Sequence, residues 1–529
     1  MIETLTSARG MVTAPHHLAA QAGLSVLRDG GNAIEAMIAA ASTIAVVYPH
    51  MNGIGGDGFW LIAAPGEPPV AIDAAGYAVA LATPAFYAER HLESIPSRGP
   101  LAVNTVPGVI AGWEEALRIS HRAGGRLPLA RLLEDARWYA RHGAPVTRSQ
   151  AAFTGRVAHE LAGQPGFAQT FLNDGAAPAA GSMRAYPALA ATLDQCARAG
   201  LQDFYCGDLA DAMANELQRL GSPLRAYDLH GYAARRVEPL SLQLETGTVY
   251  NLPPPTQGLA SMLILGIFER LGCTQAESFS YVHGLVEATK QAFLVRNRRI
   301  HDAGERARDW SAFLAPEPLE AHRRAIRPDR AQPWPEPAGK GDTVWLASAD
   351  NSGLMVSYIQ STFWEFGSGV VLADTGVTCQ NRGSSFSLAT GALSCIAPGR
   401  RPFHTLNPAF ARLKDGRAMV YGTMGGDGQP QTQAAVFSRY AMFGTDLQRA
   451  VSAPRWLLGR TWGQASTSLK IEARFDSALI DALRRAGHEL EVVGEYADLM
   501  GHAGAIVHHP DGVLAGATDP RSDGAVAAW

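Results

Sequence analysis

With 529 residues, 47% of them apolar and 18% charged, the chain has ordinary globular composition and enough length for two to four domains or one large layered unit. A formal net charge of -4 and an isoelectric point near 6.5 give no field to draw a phosphate backbone or an anionic membrane, so neither nucleic acid nor membrane is expected as a partner. The five cysteines, Cys196, Cys206, Cys273, Cys379 and Cys395, form no CxxC pair, which argues for reduced structural thiols rather than a zinc or dithiol centre. MIETLTSARGMVTAPHH at the N-terminus lacks the basic and apolar regions of an export signal, and the longest strongly apolar piece, Met262 to Phe268, is too short to span a bilayer. A cytoplasmic location is expected.

Apolar residues recur at helical spacing from His17 to Leu27 and from Ala33 to Val47, with Gly30-Gly31-Asn32 ending one helix and capping the next. MNGIGGDGFWLIAAPG follows, where glycines allow close backbone approach before a strand at Phe59 to Ala63. Further helices are expected at Ile110 to Ala123, Leu129 to His142, Pro187 to Ala199, Gly207 to Leu220, Gln257 to Leu271 and Phe279 to His301. Residues 302 to 341, charged and proline-rich and ending PDRAQPWPEPAGKG, read as a solvated linker. Strands then dominate, at Thr343 to Ala349, Leu354 to Ser361, Val370 to Leu372, Pro408 to Leu413 and Ala418 to Thr423. A helix at Phe475 to Ala486 and strands around Leu490 to Val493 and Ala503 to His509 close the chain. There is no internal repeat, so a helix-rich first part meets a sheet-rich second part at Asp342-Thr343.

The stretch GKGDTVWLASADNSGLMVSYIQSTFWEFGSG contains a hairpin turn at Asp350-Asn351-Ser352-Gly353. Folding there pairs positions whose numbers sum to about 704, which sets Thr343 opposite Ser361 with both side chains on one face. Hydroxyl pairs across strands are commonly packing and nothing more. The linker just upstream opens another reading, because a cut before Thr343 makes it an N-terminus. Its freed α-amine is then a base for its own hydroxyl, and one residue supplies both parts of a nucleophile.

On NGIGGDGFWLI, PPPTQG at 253 to 258, the threonine hairpin ending in FGSG and YGTMGGDGQPQTQ at 421 to 433, the chain resembles the gamma-glutamyltranspeptidase family of N-terminal-nucleophile hydrolases over nearly its whole length. The resemblance implies an α+β fold, a four-layer αββα sandwich, made as one precursor. It implies self-cleavage between Asp342 and Thr343 into a large subunit of residues 1–342 and a small subunit of residues 343–529, which stay intertwined as one domain. Thr343 is then the nucleophile, Ser361 stands in for a second threonine that hydrogen-bonds it, and Gly425-Gly426 offer backbone N–H groups to the oxyanion, with no cofactor or metal. A homodimer of processed heterodimers is compatible with it.

Departures from the family pattern bear on substrate. Relatives hold a gamma-glutamyl group with an arginine, a Gln, an Asp, an Asn and a pair of serines. Here the Asn position is Phe363, the Gln and Asp positions are Arg382 and Ser385, and the serine pair is His404-Thr405. The arginine falls near Ala75, and Tyr77 stands where many relatives carry one. With the acidic group that would pair with an ammonium gone, an amino-acid donor is disfavoured. Arg382 is placed to take a carboxylate in a forked contact, with His404 and Thr405 adding donors and Phe363 narrowing the cavity. FWEFGSG, QNRGSSFSL and YGTMGGDGQPQTQ are most similar to the branch that splits oxamate into oxalate and ammonia in purine degradation. Hydrolysis or transfer of gamma-glutamyl groups, deacylation of glutaryl cephalosporins, and an uncut carboxylate-binding protein without activity are the alternatives. Arg382 has a plainer reading as a loop anchor, and His404 as a packed core residue.

Three other signals are weaker. GIGGDG is similar to a nucleotide-binding loop but follows a helix and precedes a strand, the reverse of what a phosphate at a helix N-terminus needs. His283 and Glu287 share a helical face and are expected as a buried hydrogen-bonded pair rather than metal ligands. His16-His17 is expected to be a solvated or capping element.

Overall fold

The N-terminal helical hairpin forms at His17–Arg28 and Ala33–Val47. Asn32 caps the second helix, accepting from the Ile34 and Glu35 N–H groups, while the Glu35 carboxylate returns a bond to the Asn32 N–H. Every residue of Ala33–Val47 is buried, as its unbroken apolar run requires of a helix enclosed on all sides. The computed structural model describes residues 2–302, 309–334, 341–459 and 467–529.

Two seven-stranded antiparallel sheets make the centre. One runs Ala525–Ala528, Gly10–Ala14, Asp342–Asp350, Met355–Phe363, Asp57–Ala63, Val70–Ala74 and Arg235–Val237, in spatial order. The other runs Leu5–Ser7, Leu514–Thr518, Ala503–His508, Ala418–Thr423, Ala409–Leu413, Gly247–Asn251 and Leu240–Gln243. Their facing sides share an apolar layer that includes Phe59, Trp345, Ile359, Phe410, Val420 and Ile506. Helices close the outer faces: Ala33–Val47 and its neighbours on the first sheet, Gly258–Glu269 and Phe279–Arg299 on the second. This is the expected αββα arrangement. Each sheet takes strands from both sides of the Asp342–Thr343 bond.

The hairpin register follows the expected sum from Val344↔Gln360 to Ala349↔Met355. It then shifts, because Asp342 pairs with Phe363, so Thr343 lies at a bulge across from both Ser361 and Thr362.

Other expectations need correction. Val370 to Leu372 is no strand and contributes a single bridge, Val371↔Thr378. The expected helix from Leu129 to His142 is interrupted at Leu133, giving Leu129–Leu132 and Glu134–His142. The segment read as a solvated linker contains a helix, Pro316–Ala325, with Leu319 fully buried; its Pro residues start the helix rather than exclude it. Residues 303–308 and 335–340 of that segment lie outside the described residues. Gly428–Phe437, a helix directly after the GGDG turn, has no amphipathic stripe to betray it, since all ten of its residues are buried.

Candidate active site

Thr343 and Ser361 are both buried, at 0% and 1% exposure, where the two central strands of one sheet meet the bulge. Ser361 Oγ accepts from the Phe363 N–H at 2.8 Å, and Phe363 has a φ of 85°, a left-handed conformation that costs an aromatic residue free energy. Strain of this kind gathers at sites where neighbours fix one geometry. Gly56 of the GIGGDG loop runs against the same hairpin so closely that a Cβ there would lie 2.1 Å from the Ser361 carbonyl oxygen.

Gly425 and Gly426 turn with φ of 118° and 51°, the region open to glycine. A Cβ on Gly426 would come within 3.0 Å of the Gly341 carbonyl oxygen, so the turn borders the segment that leads into Thr343. The Gly428–Phe437 helix begins immediately after it and sets its partial positive end there. Gln257, from PPPTQG, braces this region. Its Nε2 donates to the carbonyls of Thr405 at 2.7 Å and Gly426 at 2.8 Å, and its Oε1 accepts from Arg296, which pairs with Asp427 at 2.7 Å. Backbone bonds between Gln257 and His404 and between His404 and Pro255 add to the brace. The motif was evident in the sequence; its role as a clamp on two separate loops was not.

Arg382 sits on a short 3₁₀ turn, Arg382–Ser385, at 1% exposure, with its guanidinium 3.9 Å above the Phe363 ring. None of its three nitrogens has a hydrogen-bond partner among the described residues. Neither ring nitrogen of the buried His404 has one, nor does Thr405 Oγ1 or Ser385 Oγ. Thr405 Oγ1 and Phe363 Cε2 would lie 3.1 and 3.6 Å from a Cβ built on Gly341, so these residues and the hairpin converge on one spot. Burial pulls the Arg382 guanidinium down to about 9, partly offset by Asp57, and pushes the His404 imidazole well below its usual range, with Arg382 and Arg401 adding to the effect. Buried donors in this number without acceptors are what an anion site presents.

Sequence reasoning missed Asp57. It begins the Asp57–Ala63 strand, fully buried, with Oδ1 accepting from the Gly76 N–H at 2.8 Å and Gln380 Nε2 at 3.1 Å. Its Oδ2 lies 3.5 Å from His404 Nε2. Burial raises the carboxyl to about 7 despite those donors and Arg382. An acid therefore stands beside His404 even though the family's Asp position is Ser385; an acid entering a wholly apolar strand was its signal. Tyr77 is turned away, its hydroxyl donating to the Asp228 carbonyl at 2.9 Å and its ring against Tyr232.

The remaining signals have other partners, and His283 and Glu287, expected to bond each other, bond elsewhere. His283 meets His488 at 2.9 Å and the Arg327 carbonyl at 2.7 Å, while Glu287 binds Lys290 at 2.6 Å. His283, Glu287 and His488 are close enough together to hold an ion, yet each already has a protein partner. His16 caps the first helix, accepting from the Leu18 N–H at 3.2 Å. A cleft of about 990 Å³ between Gly166, Tyr186 and Leu372 includes no candidate residue. No helix of the described residues is long and apolar enough to cross a membrane.

A buried threonine near the start of a central strand, with a glycine turn against the segment that leads into it, lies here in the layered fold of the N-terminal-nucleophile hydrolases. The chain matches the gamma-glutamyltranspeptidase family model over residues 19–529 and belongs to that family. It is 56% identical over 525 residues to the oxamate amidohydrolase proenzyme of Klebsiella pneumoniae, covering 99% of each chain. A glutathione hydrolase-like proenzyme of Bacillus subtilis is 39% identical over 542 residues, with 99% of each covered. Among solved structures, the cephalosporin acylase from Bacillus halodurans superposes with a TM-score of 0.91 at 34% identity, over 100% of this chain and 97% of that one.

Proposed function

We propose that the protein is a self-processing, cofactor-free N-terminal threonine amidohydrolase whose substrate is a small carboxylate-bearing amide, oxamate. The observation that carries this is Arg382: a fully buried cation with three unpartnered nitrogens, beside His404 and Thr405, which also have donors to offer. The likeness to an oxamate amidohydrolase proenzyme supports it. In maturation, Thr343 Oγ attacks the Asp342 carbonyl carbon, the peptide C–N bond breaks, and the amine takes the hydroxyl proton. Water then opens the ester, leaving Asp342 as a carboxylate and Thr343 with a free α-amine.

In turnover that amine accepts the Thr343 hydroxyl proton as Oγ attacks the substrate amide. The oxyanion faces the Gly425-Gly426 turn, Ser361 positions Oγ, and the proton passes to the departing nitrogen, which leaves as ammonia. Water, deprotonated by the same amine, hydrolyses the acyl ester to release the acid. Arg382 grips the substrate carboxylate in a fork, and Phe363 and Ser385 bound the space around it. The reading extends to a cytoplasmic enzyme of purine degradation. Intact mass and ammonia release test it together: two chains divided before Thr343 with ammonia from oxamate are expected. Turnover of a gamma-glutamyl anilide alone would move the protein to that branch of the family, and a single inert chain would make it a binding protein.

A further inference from the structure

Arg382 carries its charge into a site closed to solvent, and the carboxylate whose field acts on it there is Asp57. A substrate carboxylate laid on the guanidinium therefore enters a spot where an acid already stands. Two carboxylates around one buried cation do not both stay ionised at low cost, and the usual resolution is a proton on one of them. We propose that Asp57 takes up a proton as the substrate carboxylate binds Arg382, so that the buried site admits a monoanion without a change in its net charge. This role rests on the carboxylate-amide reading above.

The geometry assigns the proton to Oδ2. Oδ1 is fixed by the Gly76 N–H and the Gln380 amide, whereas Oδ2 has no hydrogen-bond partner among the described residues and lies 3.5 Å from His404 Nε2. As a hydroxyl it donates to an unprotonated Nε2, which leaves the hydrogen of the neutral imidazole on Nδ1 as a further donor. Around Asp57, Asp73 raises its affinity for a proton and Arg382 lowers it, while Arg401 acts on His404. The phenols that feel its charge, Tyr205, Tyr232 and Tyr358, are all pushed upward by burial and stay neutral. With the carboxyl at about 7 before ligand arrives, the proton is within reach near neutrality. Binding is then tightest at low pH: KM is constant below the carboxyl's own midpoint and rises above it by up to about tenfold per pH unit.

The test is KM and kcat for oxamate between pH 6 and 9 in the processed enzyme and its Asp57→Asn variant, joined to calorimetry with oxalate in two buffers of different ionisation enthalpy. A KM that climbs above pH 7 in the wild type and stays flat in the variant is expected, with proton uptake on oxalate binding at pH 8 to 9, above the carboxyl's midpoint, approaching one and lost in the variant. The variant keeps the α-amine, so titration of that group cancels in the comparison. A flat wild-type KM, or equal uptake in both proteins, overturns the proposal. Oxalate binding with proton uptake but no oxamate turnover would discard oxamate and keep the role of Asp57. Oxamate turnover without uptake would do the reverse, and no heat with oxalate would remove the carboxylate site and both ideas with it.

Discussion

Replacing Arg382 with Met isolates what its charge and fork contribute, because the side chain keeps much of its length against Phe363. A guanidinium holding a carboxylate makes two charge-assisted hydrogen bonds of about 1.5–3 kcal/mol each, so about 3–6 kcal/mol is at stake. That corresponds to a fall in kcat/KM for oxamate of roughly a hundredfold to ten-thousandfold. Arg382→Lys keeps the charge but not the planar fork, and its loss falls between wild type and Met. Folding should survive, since the guanidinium has no hydrogen-bond partner among the described residues that would be stranded, and Asp57 can neutralise itself by protonation. Self-cleavage involves no carboxylate ligand, so both variants should still divide before Thr343. Intact mass reports processing and coupled ammonia detection reports turnover. A loss below about threefold, or processing and turnover failing together, would refute the argument and leave Arg382 a loop anchor.

Thr343→Ala is expected to give one uncut, inactive chain by intact mass; any activity in it removes the mechanism. Gly426→Ala places a methyl group at a φ of 51° and 3.0 Å from the Gly341 carbonyl oxygen, and should slow self-cleavage at least about tenfold in a time course followed on denaturing gels. Gln257→Met strands the buried carbonyls of Thr405 and Gly426 and should cost about 2–6 kcal/mol, read as a lower urea midpoint; an unchanged midpoint would deny the clamp. Asp57 is an acid whose folded midpoint, about 7, lies above its unfolded value of 3.8, so its contribution is complete below that unfolded value and is lost as pH rises through 7. Relative to Asp57→Asn, the wild type should lose on the order of 4 kcal/mol between pH 4 and 7, and parallel stability profiles would contradict the raised midpoint.

Periodicity located the helical hairpin and the threonine hairpin almost to the residue, because one is uniformly apolar and the other is punctuated by Asp350 to Gly353. The bulge at Thr343 escaped it, since turn chemistry sets register near the turn and says little about a position seven residues before Asp350. Arg382, His404 and Thr405 stood out by departing from a known pattern, and the fold brings Arg382 to Phe363, Thr405 to Gly341 and His404 to Asp57. Asp57 and Gln257 stayed hidden for a common reason. Each acts on loops remote in sequence, and a single chain read in order does not say which loops will meet. The helix at Pro316–Ala325 was missed because charge and proline dominate its composition, while one buried leucine, Leu319, docks it.

The strand that starts at Asp342 lies inside its sheet, hydrogen-bonded to Gly10–Ala14 on one side and Met355–Phe363 on the other. A cut before Thr343 would thus change the chain's topology while leaving its surface and core almost untouched. Two polypeptides related in this way have no docked interface that dilution can open. Parting them means pulling both sheets to pieces, so their association would show no concentration dependence short of denaturation, and the mature pair would unfold as a single cooperative body.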